Sequence, residues 1–174
     1  PATPKLKIAF ATGLSWMEKY YSRKLTPAEI RAHQDLMLDH RLGPLPMWDN
    51  GESFFARETV SHCLDRGMNV VLLKCGGKTD EQADQSLEKL EPKIALLEEL
   101  GALDRTYLFG FDEIVMSHPE LIPQLRHTYG KFHERYPGIK RINTAWPDER
   151  LKGAVDIFVV PVTNYVSEVG RQCE

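Results

Sequence analysis

Cysteine is scarce in this sequence. Cys63, Cys75 and Cys173 are the only three in 174 residues, odd in number and widely spaced. They form no Cys-x-x-Cys pair, so neither a zinc knuckle nor a dense disulfide framework is implied. A lone Cys63–Cys75 bridge stays open beside three ordinary thiols. No His-Glu-x-x-His run occurs, and His127 and His133 are six apart, off one helical face, so neither metal nor cofactor is expected. No apolar run reaches the roughly 18 residues of a membrane span, so no membrane partner is expected. The opening PATPKLKIAF shows no apolar leader segment. An excess of one charge is missing too: 22 basic and 25 acidic residues leave a net charge of −3. That excludes the concentrated basic face of a nucleic-acid binder. Repeats, low-complexity tracts and linkers are also absent. What remains, 42% hydrophobic and 27% charged residues, is ordinary for a globular chain. Its length suits a single domain over residues 1–174.

The dominant pattern is short apolar runs of β type alternating with longer helical stretches. Lys5–Phe10 is the first expected strand, followed by a loop holding Gly13, Ser15 and Trp16. Thr26, Pro27 and Glu29 spell a capping box that opens a helix to about Asp39. Leu42–Trp48 is a poorer strand because Pro44 and Pro46 lack amide donors. A helix over 53–66 follows, closed by Gly67, and then Asn69–Cys75, the clearest buried strand. Thr79 caps a long helix that Pro92 should kink or divide and Gly101 should end. Thr106–Phe111, Ile139–Asn143 and Asp156–Val162 complete the strands, and a helix entered through Ser117 runs to about Tyr136. Such an alternation predicts an α/β fold with an all-parallel sheet, either an open doubly wound sheet or a (β/α)8 barrel.

Three places carry candidate chemistry. The turn CGGKT, residues 75–79, lies between a strand and a helix as a phosphate-binding loop does. Its glycine spacing is too short to wrap a phosphate chain, so an ordinary turn competes with a nucleotide-binding reading of Gly76–Thr79. The second is YLFGFDE, an apolar strand ending in adjacent carboxylates, Asp112 and Glu113. Functional groups of parallel α/β folds gather at the carboxyl ends of strands, and two acids there suit proton transfer to a glycosidic oxygen. Regular alternation would send the two side chains to opposite faces, so the chain must leave strand geometry there, helped by Gly110. A solvated or helix-capping role is the competing reading. The third is a set of aromatic and polar residues after other strands: Trp48-Asp49-Asn50, Asn143-Thr144-Ala145-Trp146 and Thr163-Asn164-Tyr165. Aromatic rings under sugar faces and polar groups at sugar hydroxyls are how carbohydrates are held, although each residue alone also suits packing or capping.

YLFGFDE, together with DHRLGP (39–44), GMNVVLL (67–73), PGIKRINT (137–144) and GAVDIFVVPVTNY (153–165), resembles the catalytic domain of glycoside hydrolase family 123. The similarity runs in order along nearly the whole chain. The resemblance implies a TIM-type (β/α) barrel of about six βα units, incomplete because the family barrel continues past the sixth strand. Open edges would favour self-association. It implies a retaining β-N-acetylhexosaminidase-like activity, toward N-acetylgalactosamine or another 2-acetamido sugar, by substrate-assisted catalysis and without a cofactor. Carried onto this sequence, Glu113 would be acid and base, and Asp112 would orient the acetamido group. Trp48, Asp49, Tyr107, Asn143, Trp146, Asn164 and Tyr165 would contact substrate. The resemblance leans toward a secreted or periplasmic setting. An inactive carbohydrate-binding or structural fragment is the alternative from a different functional class.

Overall fold

A computed structural model describes residues 7–11, 13–45 and 54–160. Strands and helices alternate as expected, giving a mixed α/β fold with parallel strands. The chain divides into two compact units, Pro1–Leu72 with Ala95–Arg105, and Leu73–Ile94 with Thr106–Glu174.

In the first unit β1 (Ala9–Ala11) pairs in parallel with β2 (Gly43–Leu45), Phe10 standing opposite Pro44. Between them lie α1 (Leu14–Tyr21) and α2 (Pro27–Asp39). Helix α1 corrects the sequence reading, which placed a loop here. None of its residues is buried, so it lacks the core-facing stripe that makes a helix legible. It closes through Ser22 in the left-handed region (φ 53°). The α2 capping box forms as expected: Thr26 Oγ1 accepts the Glu29 amide at 3.3 Å, and the Glu29 carboxylate accepts the Thr26 amide at 2.9 Å. The Arg23 guanidinium bound to Glu29 is the main reason that its carboxyl is held down at about 2. Helix α3 (Arg57–Asp65) ends, as its sequence predicts, with Gly67 at positive φ (96°). Leu45, Val60, Cys63 and Met68 are among the most deeply buried residues of this core.

The division falls inside β3 (Val71–Cys75), of which Leu73–Cys75 belong to the second unit. Thr79 caps α4 (Asp80–Glu88) by accepting the Gln82 amide at 3.3 Å. The predicted long helix breaks at Lys89–Leu90 and resumes as α5 (Glu91–Glu99), where Pro92 sits in the tolerant first turn. After β4 (Thr106–Gly110) come α6 (Ile114–Ser117), a 3-10 turn at Pro119–Leu121, and α7 (Ile122–Arg135). Here too the sequence reading needs correction. Ser117 ends α6 and does not cap α7. Pro119 disfavours helical geometry at the residue before it, and His118 accordingly adopts φ −144°, interrupting the helix. Helix α7 buries Ile122, Leu125, Tyr129 and Phe132 along one stripe, and packs on α4.

The strands β5 (Lys140–Asn143) and β6 (Ile157–Phe158) complete a four-stranded parallel sheet in the order β3-β4-β5-β6. Tyr107 stands opposite Lys140, Phe109 opposite Ile142, and Ile142 opposite Ile157. Of the expected sixth strand, the two residues Ile157–Phe158 are regular, and residues 161–162 lie outside the described set. Arg141 and Asp156 lock β5 to the segment entering β6. The side chain of Arg141, only 5% exposed, meets the Asp156 carboxylate with two hydrogen bonds of 2.8 Å. Burial pushes the Asp156 carboxyl upward, but the Arg141 guanidinium and amide outweigh it and hold the group below the usual carboxylate value.

Candidate functional site

The site is built on the carboxyl end of β4. Leu108, Phe109 and Gly110 are buried there, and the next three residues leave the strand as a turn. Phe111 (φ 53°) and Glu113 (φ 51°) both occupy the left-handed region, with Asp112 between them. For side chains with a Cβ that conformation costs about 1–2 kcal/mol each, so the surrounding structure must over-determine it. The departure from strand geometry that the two acids require is therefore present. Gly110 contributes in an unexpected way. Its own φ is not positive; a Cβ there would lie 2.4 Å from the Cys75 carbonyl oxygen and 2.9 Å from Cys75 Sγ. Glycine is needed for close approach of β3 and β4, not for backbone freedom.

Three side chains hold the turn. Asn143 Nδ2 donates to the Gly110 carbonyl at 2.7 Å and the Phe111 carbonyl at 3.0 Å. The Tyr129 hydroxyl reaches the carbonyls of Gly110 (3.2 Å) and Ile142 (2.8 Å), and its ring packs edge-on against Phe111. Burial drives the Tyr129 phenol well above its ordinary value, so it stays a neutral donor. Thr144 Oγ1 accepts the Glu113 amide at 2.9 Å and donates to Asp112 Oδ1. Both carboxylate residues are exposed. Among the described residues Asp112 is bound through Thr144, whereas the Glu113 carboxylate has no hydrogen-bond or ion-pair partner.

The other expected site residues divide by location. Asn143 is fully buried, its amide turned onto the backbone of β4, with Oδ1 unpartnered among the described residues. Tyr107 is half-buried at the second position of β4, roughly 10 Å from Gly110 at strand rise, and thus away from the carboxyl end. Trp146 is half-buried in the loop after β5, the strand adjacent to β4, and so emerges at the same sheet end as the two acids. Trp48, Asp49, Asn164 and Tyr165 lie outside the described residues. Thr144 was named from the sequence among the polar residues after the fifth strand but given no role of its own, and Tyr129 was not singled out. The Thr144 position, directly after a strand that adjoins the one bearing the acids, was the available clue; Tyr129 reads as one more core aromatic of α7.

In the turn at 76–79 the Gly76 amide donates to Ser86 Oγ at 3.1 Å and the Lys78 amide to Gln82 Oε1 at 2.9 Å. Two of the turn's four amides are thus already bound by α4 side chains. Cys63 and Cys75 are free, buried thiols; burial pushes Cys63 up to about 11 and Cys75 higher still, which suits neither to nucleophilic work. Among the described residues no group of three His, Cys, Asp or Glu side chains could hold a metal ion. A hollow lined by Pro119, Ile122, Pro123, Arg126, Glu149 and Arg150 includes neither Asp112 nor Glu113.

No family profile matches the chain, and neither a curated protein nor a solved structure does so.

Proposed function

We propose that the protein is a retaining glycoside hydrolase of β-N-acetylhexosaminidase type, acting on 2-acetamido sugars with the substrate's own acetamido group as nucleophile. The observation that carries this reading is the unequal treatment of two adjacent carboxylates: Asp112 is tied through Thr144, and Glu113 stands exposed without a partner among the described residues. An orienting group must be fixed, and an acid–base group must be free to take and give a proton. Glu113 protonates the glycosidic oxygen as the acetamido carbonyl oxygen attacks the anomeric carbon and the aglycone leaves. Asp112, with Oδ1 bound by Thr144, uses Oδ2 to accept the acetamido N–H and to stabilise the positive charge of the oxazolinium. Glu113 then removes a proton from water, which opens the ring with net retention. Adjacent acids suit this scheme better than double displacement, whose carboxyl groups stand about 5–5.5 Å apart across the scissile bond. Trp146, in the loop after β5, is the aromatic proposed to support a sugar face at that sheet end.

A (β/α) barrel is the proposed architecture. The order β3-β4-β5-β6 runs without reversal, which a barrel requires and which one half of a doubly wound sheet also shows. The test is release of aglycone from an aryl 2-acetamido-2-deoxy-β-galactoside. Hydrolysis should fall by orders of magnitude in Glu113→Gln, and the aryl β-galactoside lacking the acetamido group should be inert. Equal rates for wild type and Glu113→Gln would sink the proposal.

A further inference from the structure

We infer that Thr144 is a positioning residue that sets the geometry of both acids through one hydroxyl group. The inference rests on the hydrolase reading. Phe109 stands opposite Ile142, so the segments that follow β4 and β5 emerge side by side, and Thr144 arrives beside the turn at 111–113. The Glu113 amide can only donate, so the Thr144 oxygen must accept from it; the hydroxyl has one proton, and that proton goes to Asp112 Oδ1. The direction of the chain is thereby set, from the Glu113 amide through Thr144 to Asp112. It fixes the backbone of one acid and the carboxylate of the other. Asp112 is left with Oδ2 for substrate, while the Glu113 side chain is engaged by none of the described residues. Asn143, the preceding residue, holds the carbonyls of Gly110 and Phe111 on the other flank of the turn. Without Thr144, Asp112 would lose its rotamer and Glu113 its anchored amide, while the peptide bonds held by Asn143 and Tyr129 would stay in place.

Thr144→Val keeps the shape and removes both hydrogen bonds; Thr144→Ser keeps both. On the aryl 2-acetamido glycoside, Thr144→Val should lower kcat at least about tenfold with KM within about twofold, and Thr144→Ser should recover most of the lost rate. Because Thr144 works partly through Asp112 and partly through the Glu113 amide, the double variant Thr144→Val/Asp112→Asn should be slower than Asp112→Asn alone, yet faster than the product of the two single losses. Thr144→Ala serves the same comparison should the valine variant not fold. Full activity in Thr144→Val with loss in Glu113→Gln overturns the positioning inference and leaves the hydrolase reading standing. Additive losses in the double variant do the same. Equal rates in wild type and Glu113→Gln overturn both.

Discussion

Replacing Gly110 with alanine places a methyl group 2.4 Å from the Cys75 carbonyl oxygen, 2.9 Å from its Sγ and 3.1 Å from its carbonyl carbon. Two of those three atoms are backbone, so no rotamer change relieves the contact, and β3 and β4 must separate where they approach. Overpacking of a core costs about 1–3 kcal/mol, and an obstacle made of backbone puts this site at the upper end, about 3 kcal/mol. With a urea slope of roughly 2 kcal/mol per molar, the unfolding midpoint should fall by about 1.5 M. The two-strand origin of the effect has its own signature. Cys75→Ala removes the sulfur but leaves the carbonyl, so the double variant Cys75→Ala/Gly110→Ala should unfold near the midpoint of Gly110→Ala. A midpoint for Gly110→Ala within about 0.3 M of wild type would refute the reasoning, the expected shift being several times larger. Full recovery in the double variant would identify the thiol, not the carbonyl, as the obstacle.

Tyr129→Phe removes the hydroxyl that reaches Gly110 and Ile142, and should lower stability by about 1–2 kcal/mol in urea unfolding. Asn143→Asp removes the amide donor and buries a carboxyl whose pKa must rise. Its deficit against wild type should be about 3 kcal/mol or more at pH 7, and should shrink as pH falls toward the carboxyl's unfolded value of about 4. Asp156 behaves oppositely, because its folded pKa is depressed. Its contribution is present above the unfolded value of about 3.9 and is lost as pH falls through the lower folded one. Asp156→Asn should therefore cost about 1–3 kcal/mol near neutrality and flatten that acid limb, as read from unfolding midpoints between pH 2 and 7. Thr26→Ala should cost about 1 kcal/mol through loss of the α2 cap.

Local rules carried the sequence reading furthest where a residue acts on its own neighbours. Thr26 and Glu29 announce their capping box, Gly67 its helix end, and Pro92 its helix break, because each effect is settled within four residues. β3 and β4 were legible for a related reason, as short mainly apolar runs, although Lys74 in β3 is exposed and β5 is Lys-Arg-Ile-Asn. Helix α1 was not, since its Trp16, Tyr20 and Tyr21 are exposed and supply no inward stripe. The Ser117 expectation failed because Pro119 acted on His118, a local rule that outweighed the capping pattern. At the site, Asp112 and Glu113 were visible as an apolar strand ending in two acids. Asn143 was visible as a polar residue at a strand end, but not its direction, which depends on carbonyls from another strand. Gly110 could be read only as conformational freedom, because the approach of Cys75 is a tertiary fact.

The left-handed turn also bears on how this stretch of chain can change. At Glu113 a glycine would relieve a conformation that disfavours a Cβ, so Glu113→Gly should stabilise the fold by on the order of 1 kcal/mol. Stability alone therefore argues against a long acidic side chain at this position. On the proposed hydrolase reading, selection for robustness and selection for chemistry pull in opposite directions there, and residue 113 would mark a stability–activity trade-off within a single peptide unit. Thermostability-driven redesign would drift toward glycine at that position, and if the proposed chemistry holds, a variant improved in this way would gain melting temperature as it lost turnover.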